Sequence, residues 1–157
     1  MNFLPGQSLY QLLSEGHEFS GEFYIEAEVK GVAQQLFSTL FYLKVKDCAH
    51  RDLNPANIML AGSQATLIDF QTACFLTPPG IHGVTGTSPY QAPEMWGPAG
   101  YGAKVDVWSL GRVLERLLHS SDTPPSAAAR KLLDWCLKSD PKTRCSAEQA
   151  LESSWLL

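Results

Sequence analysis

The stretch HRDLNPANIML, residues 50–60, sets Asp52 five positions before Asn57, and a second aspartate, Asp69, follows in ATLIDF. These are hard oxygen donors at a spacing that suits phosphoryl transfer. That reaction asks little covalent chemistry of a protein: an orienting group for the acceptor hydroxyl, and cations to offset the phosphate charge. Asp52 can accept the hydroxyl hydrogen bond. Asn57 offers a neutral oxygen and Asp69 a charged one, a sparse set that Mg²⁺ accepts because water and phosphate complete its shell.

Such donors need elements to hold them. On their C-terminal side, IML and ATLIDF are short apolar runs joined by AGSQ, the pattern of a β-hairpin. Upstream, Val29, Ala33, Leu36, Phe37, Leu40 and Phe41 recur at helical spacing and predict a helix from about Glu28 to Lys46. A shorter helix is expected from Ser8, with Leu9, Leu12 and Leu13 on one side, after a turn at Pro5-Gly6. Residues 71–91 are rich in Gly, Pro, Thr and Ser and read as an extended loop. VDVWSLGRVLERLL is apolar around much of its circumference (Val105, Trp108, Leu110, Val113, Leu114, Leu117, Leu118), so it belongs in the centre of a domain. Ser126 is placed to cap AAARKLLDWCLK, whose buried stripe would be Ala129, Leu132, Leu133, Cys136 and Leu137. Ser146 and Gln149 have capping-box spacing ahead of a last short helix. The expected fold is mainly α with one small hairpin beside the functional loop.

Composition narrows the classes. At 157 residues the chain suits one domain, and 45% hydrophobic with 18% charged residues describes a globular protein. Twelve basic against sixteen acidic side chains leave a net charge of −4, no footprint for nucleic acid or an anionic membrane. No apolar run approaches the roughly 20 residues of a membrane span, and MNFLPGQSLY has no signal-peptide pattern. Cys48, Cys74, Cys136 and Cys145 form no CxxC pair, which favours reduced thiols and an intracellular setting, the cytoplasm with the nucleus also open.

HRDLNPAN fits the pattern H-R-D-L-x-x-x-N, and Asp69-Phe70-Gln71 stands where that pattern is followed by Asp-Phe-Gly. GTSPYQAPE, residues 86–94, closes on Ala-Pro-Glu, DVWSLG follows at 106–111, and Asp140-Pro141 precedes Arg144. On these residues the chain resembles the eukaryotic-type protein kinase family, and Thr87 points to its serine/threonine type. The resemblance implies a partial kinase domain over residues 1–157: a hinge and the C-terminal helical lobe, with the catalytic loop at 50–57 and the activation segment at 69–94. It implies ATP and Mg²⁺ as cofactors and a protein substrate. Asp52 would be catalytic, Asn57 and Asp69 metal ligands, and Met59 the floor of the adenine site. Arg51 would meet an activation-loop phosphate, and Thr87 would lie in the substrate loop. Asp106 would brace the catalytic-loop backbone, and Arg144 would pair with Glu94.

Four departures qualify the resemblance. No G-x-G-x-x-G and no V-A-I-K occurs, so the N-terminal β-lobe of the family is missing from these residues. Asn54 stands where serine/threonine kinases carry a lysine that contacts the transferring phosphate, and Gln71 replaces a glycine. Arg144 follows Asp106 by only 38 positions, too few for an additional helix that the family places there. The isolated chain is therefore expected to be inactive. Met1, Phe3, Leu4, Met59 and Phe70 are expected to form an exposed apolar surface that a missing lobe or a partner covers. The competing reading is a catalytically inactive pseudokinase fragment acting as a protein-binding module. Small-molecule phosphotransferases share H-x-D-x-x-x-x-N but lack both GTSPYQAPE and DVWSLG.

Overall fold

The computed structural model describes residues 6–14, 25–120 and 123–157. Met1, Phe3 and Leu4, expected in an apolar patch, lie outside the described residues, as does Pro5 of the expected opening turn. The described chain begins with a two-residue strand β1 (Gln7–Ser8) that runs into helix α1 (Leu9–Ser14). Ser8 and Gln11 cap that helix reciprocally: the Gln11 amide donates to Ser8 Oγ at 3.2 Å, and the Ser8 amide donates to Gln11 Oε1 at 2.9 Å. The sequence reading placed Ser8 inside the helix and missed this box.

Helix α2 spans Glu26–Val45 and buries Val29, Ala33, Leu36, Phe37 and Leu40. Strand β2 (Cys48–Ala49) follows, then a 3₁₀ turn at Pro55–Asn57, then the hairpin β3 (Ile58–Ala61) and β4 (Gln64–Leu67). Its register pairs Met59 with Thr66 and Ala61 with Gln64, so the turn is Gly62-Ser63, and Gly62 takes a φ of 58°. β1 adds to the other edge of β3, giving the antiparallel order β1-β3-β4. The segment expected as open loop contains a further strand, β5 (Cys74–Phe75), antiparallel to β2. Backbone pairing across distant residues decides that element, and local composition does not report it.

A second 3₁₀ turn, Pro93–Trp96, leads to helix α3 (Lys104–His119), followed by α4 (Ala127–Cys136) and α5 (Ala147–Leu151). Ser126 caps α4 by accepting from the Ala129 amide at 3.1 Å, and Ser146 with Gln149 forms a capping box on α5. Trp108 and Leu137, expected in the core, are only half-buried. Helix α3 lies between α2 and α4, and its Leu110, Val113, Leu114 and Leu117 are almost fully enclosed. Each such side chain contributes about 1.5–3 kcal/mol by leaving water. Gly111 permits the approach of α4, because a Cβ there would stand 2.9 Å from the Cys136 Cβ. Among the described residues no further helix stands between α3 and α4, and no helix is long and apolar enough to cross a membrane.

Two long-range clamps hold this arrangement. Glu26, in the first turn of α2, accepts from the Ser126 amide (2.8 Å), the Ser126 hydroxyl (2.6 Å) and Trp155 Nε1–H (2.8 Å). Partial burial would raise its pKa, but the Ser126 and Trp155 hydrogen bonds and the Arg130 charge outweigh it and hold it below the usual glutamate value. Further along α2, Gln35 accepts from the Ala65 amide and donates to Ser63 O, fastening the hairpin to the helix.

Candidate active site

The loop at 50–53 enters in an unusual backbone conformation: Arg51 has a φ of 68°. For a non-glycine residue this left-handed geometry costs free energy and persists only where its surroundings impose it. Asp106, in the first turn of α3, supplies that constraint. Its carboxylate accepts from the His50 amide at 2.7 Å and from the Arg51 amide at 2.8 Å. Burial pushes the Asp106 carboxyl above its usual range, opposed by those two amides and by the nearby Arg51 charge. Gly86 completes the packing from the other side. Its φ is 87°, and a Cβ there would lie 2.4 Å from the Arg51 carbonyl oxygen.

His50 is fully enclosed. Its Nδ1 accepts from the Asp52 amide at 3.3 Å, which places the ring proton on Nε2, 3.0 Å from Ile68 O. The imidazole therefore joins the loop to the residue just before Asp69, and Phe70 meets its ring edge-on at 4.8 Å.

Asp52 stands half-buried at the centre of a side-chain network. Its Oδ1 accepts from Thr87 Oγ1 at 2.8 Å and from Asn54 Nδ2 at 2.9 Å. Its Oδ2 accepts from Asn57 Nδ2 at 3.2 Å. Asn57 Nδ2 also donates to the Asp52 carbonyl at 2.9 Å, so the amide nitrogen is committed and Oδ1 remains as a ligand oxygen. Asn54 also shapes the backbone: its Oδ1 accepts from the Ala56 amide at 2.8 Å and caps the turn that carries Asn57. Sequence reasoning identified Asn54 only as the absence of a lysine. The structure makes it a positive part of the site, tying Asp52 to Thr87. An Asx-Pro pair two residues after Asp52 was the available signal for that cap.

Asp69 was expected at the end of the second strand. It lies two residues beyond β4, exposed, with a φ of 60°, and its Oδ1 accepts from the Gln71 amide at 3.3 Å. A backbone bond from the Ile68 amide to Asn57 O, 2.9 Å, keeps the Asp69 segment alongside Asn57. Among the described residues no three His, Cys, Asp or Glu side chains converge as a self-sufficient metal site. The donor chemistry of Asn57 and Asp69 fits Mg²⁺ only where phosphate and water supply the other ligands. Met59 turns away from the core that takes Ile58 and Leu60, and Phe70 is exposed.

The guanidinium of Arg51 is engaged within the fold. Its Nε–H donates to Thr72 O at 2.7 Å and its Nη1 to Tyr101 Oη at 3.2 Å. Thr87 is exposed, and its loop is held by Gln91, which donates to Thr85 O and Gly86 O. The loop's far end closes on a buried ion pair. Arg144 donates to Glu94 Oε1 at 2.6 Å and Oε2 at 2.8 Å, and its other N–H groups reach Lys138 O, Lys104 O and Ser139 O. All five donors of that guanidinium are used. It also lies 5.1 Å above the Trp108 ring.

The sequence matches the protein kinase domain family over residues 1–125, and the chain belongs to that family. It is 28% identical over 193 positions to Serine/threonine-protein kinase GL21140 of Drosophila persimilis, covering 100% of this chain and 24% of the relative. It is 29% identical to Calcium/calmodulin-dependent protein kinase type II of Caenorhabditis briggsae (94% of this chain, 34% of the relative). It is 28% identical to Serine/threonine-protein kinase DCLK3 of Homo sapiens (99% and 28%). The chain thus spans about a quarter to a third of the length of these curated relatives.

Proposed function

We propose that this chain is the helical lobe of a serine/threonine protein kinase, and that it orients a protein hydroxyl for transfer of the ATP γ-phosphate. Asp52 accepts the hydroxyl hydrogen bond. Asn57 and Asp69 hold Mg²⁺, which offsets phosphate charge, and Met59 forms the floor under adenine. Two of the Arg51 donors hold Thr72 and Tyr101, and its remaining N–H groups would meet an activation-loop phosphate. The partner surface of the nucleotide side begins at Met59 and Phe70, to be covered by another part of the polypeptide or by a second protein.

One observation carries the proposal: a single amide, Asn57 Nδ2, binds both the carbonyl and the carboxylate of Asp52. That bond holds the Asp52 carboxylate in place and commits the Asn57 amide nitrogen, leaving its oxygen for metal. A second reading, an inactive kinase-like binding module, has its own observation. Asp52 Oδ1 already accepts from both Asn54 and Thr87, and Asn54 brings no positive charge to a transferring phosphate.

Mg·ATP titrated into this chain should bind with a dissociation constant in the millimolar range, on the order of −4 kcal/mol. Asp69→Ala and Asn57→Ala should each abolish that binding; micromolar affinity indifferent to both would refute the metal assignment. The full polypeptide encoded by the gene should transfer radiolabelled phosphate to a generic acceptor protein and lose this in Asp52→Asn. Metal-dependent nucleotide binding without any transfer would select the binding module.

A further inference from the structure

Two clefts open beside the substrate loop. One, of about 360 Å³, runs from Asp52 and Asn54 past Thr87 to Tyr90 and Arg116. The other, of about 430 Å³, continues from Pro89, Tyr90 and Arg116 to Arg112, Glu115 and His119. The three shared residues make a single trough that starts at the proposed phosphoryl-transfer carboxylate and ends on the last turns of α3.

Its charge is uneven. Arg112, Arg116 and His119 recur at intervals of four and three, so α3 presents them along one face. Among the described residues Glu115 is the only carboxylate lining the far cleft, and it is paired with Arg112. Arg116 is exposed and donates from Nη1 to the neutral Tyr90 hydroxyl at 3.2 Å. Among the described residues it has no carboxylate partner. Arg144 shows what this fold does with a structural arginine: it buries the group and uses every donor. Arg116 instead aims unused donors into an open trough, where a planar fork suits a carboxylate or phosphate.

We infer that the trough receives an acceptor segment of a partner protein that carries acidic side chains, carboxylate or phosphate, beside its serine or threonine. The acceptor hydroxyl lies at Asp52 and the acidic group meets Arg116, with Arg112 flanking it. The inference rests on Asp52 as the hydroxyl-binding group. The recognition by Arg116 is a separate electrostatic event and needs no nucleotide.

The test uses fluorescein-labelled serine peptides with glutamates on both sides of the serine, and the same peptides with glutamine, lysine or phosphoserine at those positions. Binding is followed by fluorescence anisotropy at low salt. The glutamate peptide should bind about tenfold tighter than the glutamine peptide, and the lysine peptide weaker still. Arg116→Gln should remove most of that preference and Arg116→Lys should retain part, which separates the charge from the planar fork. Equal binding of glutamate and lysine peptides, a preference that survives Arg112→Gln with Arg116→Gln, or no measurable binding of any peptide overturns the inference. A phosphoserine peptide bound about tenfold tighter than the glutamate peptide identifies a phosphorylated partner; equal affinity identifies an acidic one. Acidic preference without phosphoryl transfer in the full polypeptide would sink the kinase reading alone. Asp52-dependent transfer to glutamate and lysine peptides at equal rates would sink this inference alone.

Discussion

Two of the ties between the segment from Asp69 to Glu94 and the rest of the molecule are carboxylate centres of different character. At Glu94 the partner is Arg144, buried, bidentate and saturated by three further carbonyls. At Asp52 the partners are side-chain groups, Thr87, Asn54 and Asn57, and the carboxylate borders an open cleft. Asp106 belongs with the closed kind: it is enclosed and binds backbone amides, which cannot rotate away. The contrast separates what holds the segment from what can exchange its partners. Thr87 is exposed and holds Asp52 through a single hydroxyl, whereas Glu94 is held by two charged hydrogen bonds from an enclosed guanidinium.

The closed centre should therefore show the largest loss on mutation. Arg144→Ala leaves the Glu94 carboxylate without its counter-charge, and the urea midpoint should fall by the equivalent of roughly 3–5 kcal/mol. An unchanged midpoint would erase the contrast altogether. Asp106→Asn keeps one acceptor but turns an amide donor toward the second backbone N–H, and about 2 kcal/mol of stability should be lost. The same variant should release the left-handed geometry at Arg51, visible as faster amide exchange at His50 and Arg51.

At the open centre the effects should be smaller and local. Asn54→Ala removes the cap on the turn Pro55–Asn57 and the tie between Asp52 and Thr87, at a cost of about 1 kcal/mol. Thr87→Val should cost less than that by the same urea measurement. If either matched the loss in Arg144→Ala, the Asp52 network would be as structural as the Glu94 one.

The smallest effect is a pair of opposed pH slopes. The Glu26 pKa is lowered on folding, so its contribution is present above the unfolded value near 4.3 and is lost as pH falls through the folded one. The Asp106 pKa is raised on folding, so its contribution is present below the unfolded value near 3.9 and is lost as pH rises through the folded one. Urea midpoints followed from about pH 3 to 6 should show a shallower acid limb in Glu26→Gln and a steeper one in Asp106→Asn. Identical slopes in both variants would contradict the assigned directions.

Much of the scaffold was legible in the sequence because its signals are local. Helical spacing in Val29 to Leu40, the Ser126 cap and the Ser146–Gln149 box each lie within a few turns of chain, where backbone geometry alone decides which side chains meet. The hairpin was visible from two apolar runs and a glycine. The motif residues were visible as a set of types in order, and their order alone suggested the chemistry.

Tertiary structure decided who touches whom across the chain. Glu26 meets Ser126 and Trp155, β5 meets β2, and Arg51 finds Thr72 and Tyr101, pairings that no local pattern encodes. Asn54 looked like a missing lysine; its cap on the Ala56 amide is local, and it became a bridge only when Thr87 was brought against it. Arg116 and Arg144 are the same residue type on a linear reading. One is enclosed, with Glu94 and three carbonyls converging on it; the other stays open, with a tyrosine hydroxyl as its only partner among the described residues. Sequence spacing fixes which side chains share a helix face, but free or satisfied is a property of the space around a group, and that space exists only after folding.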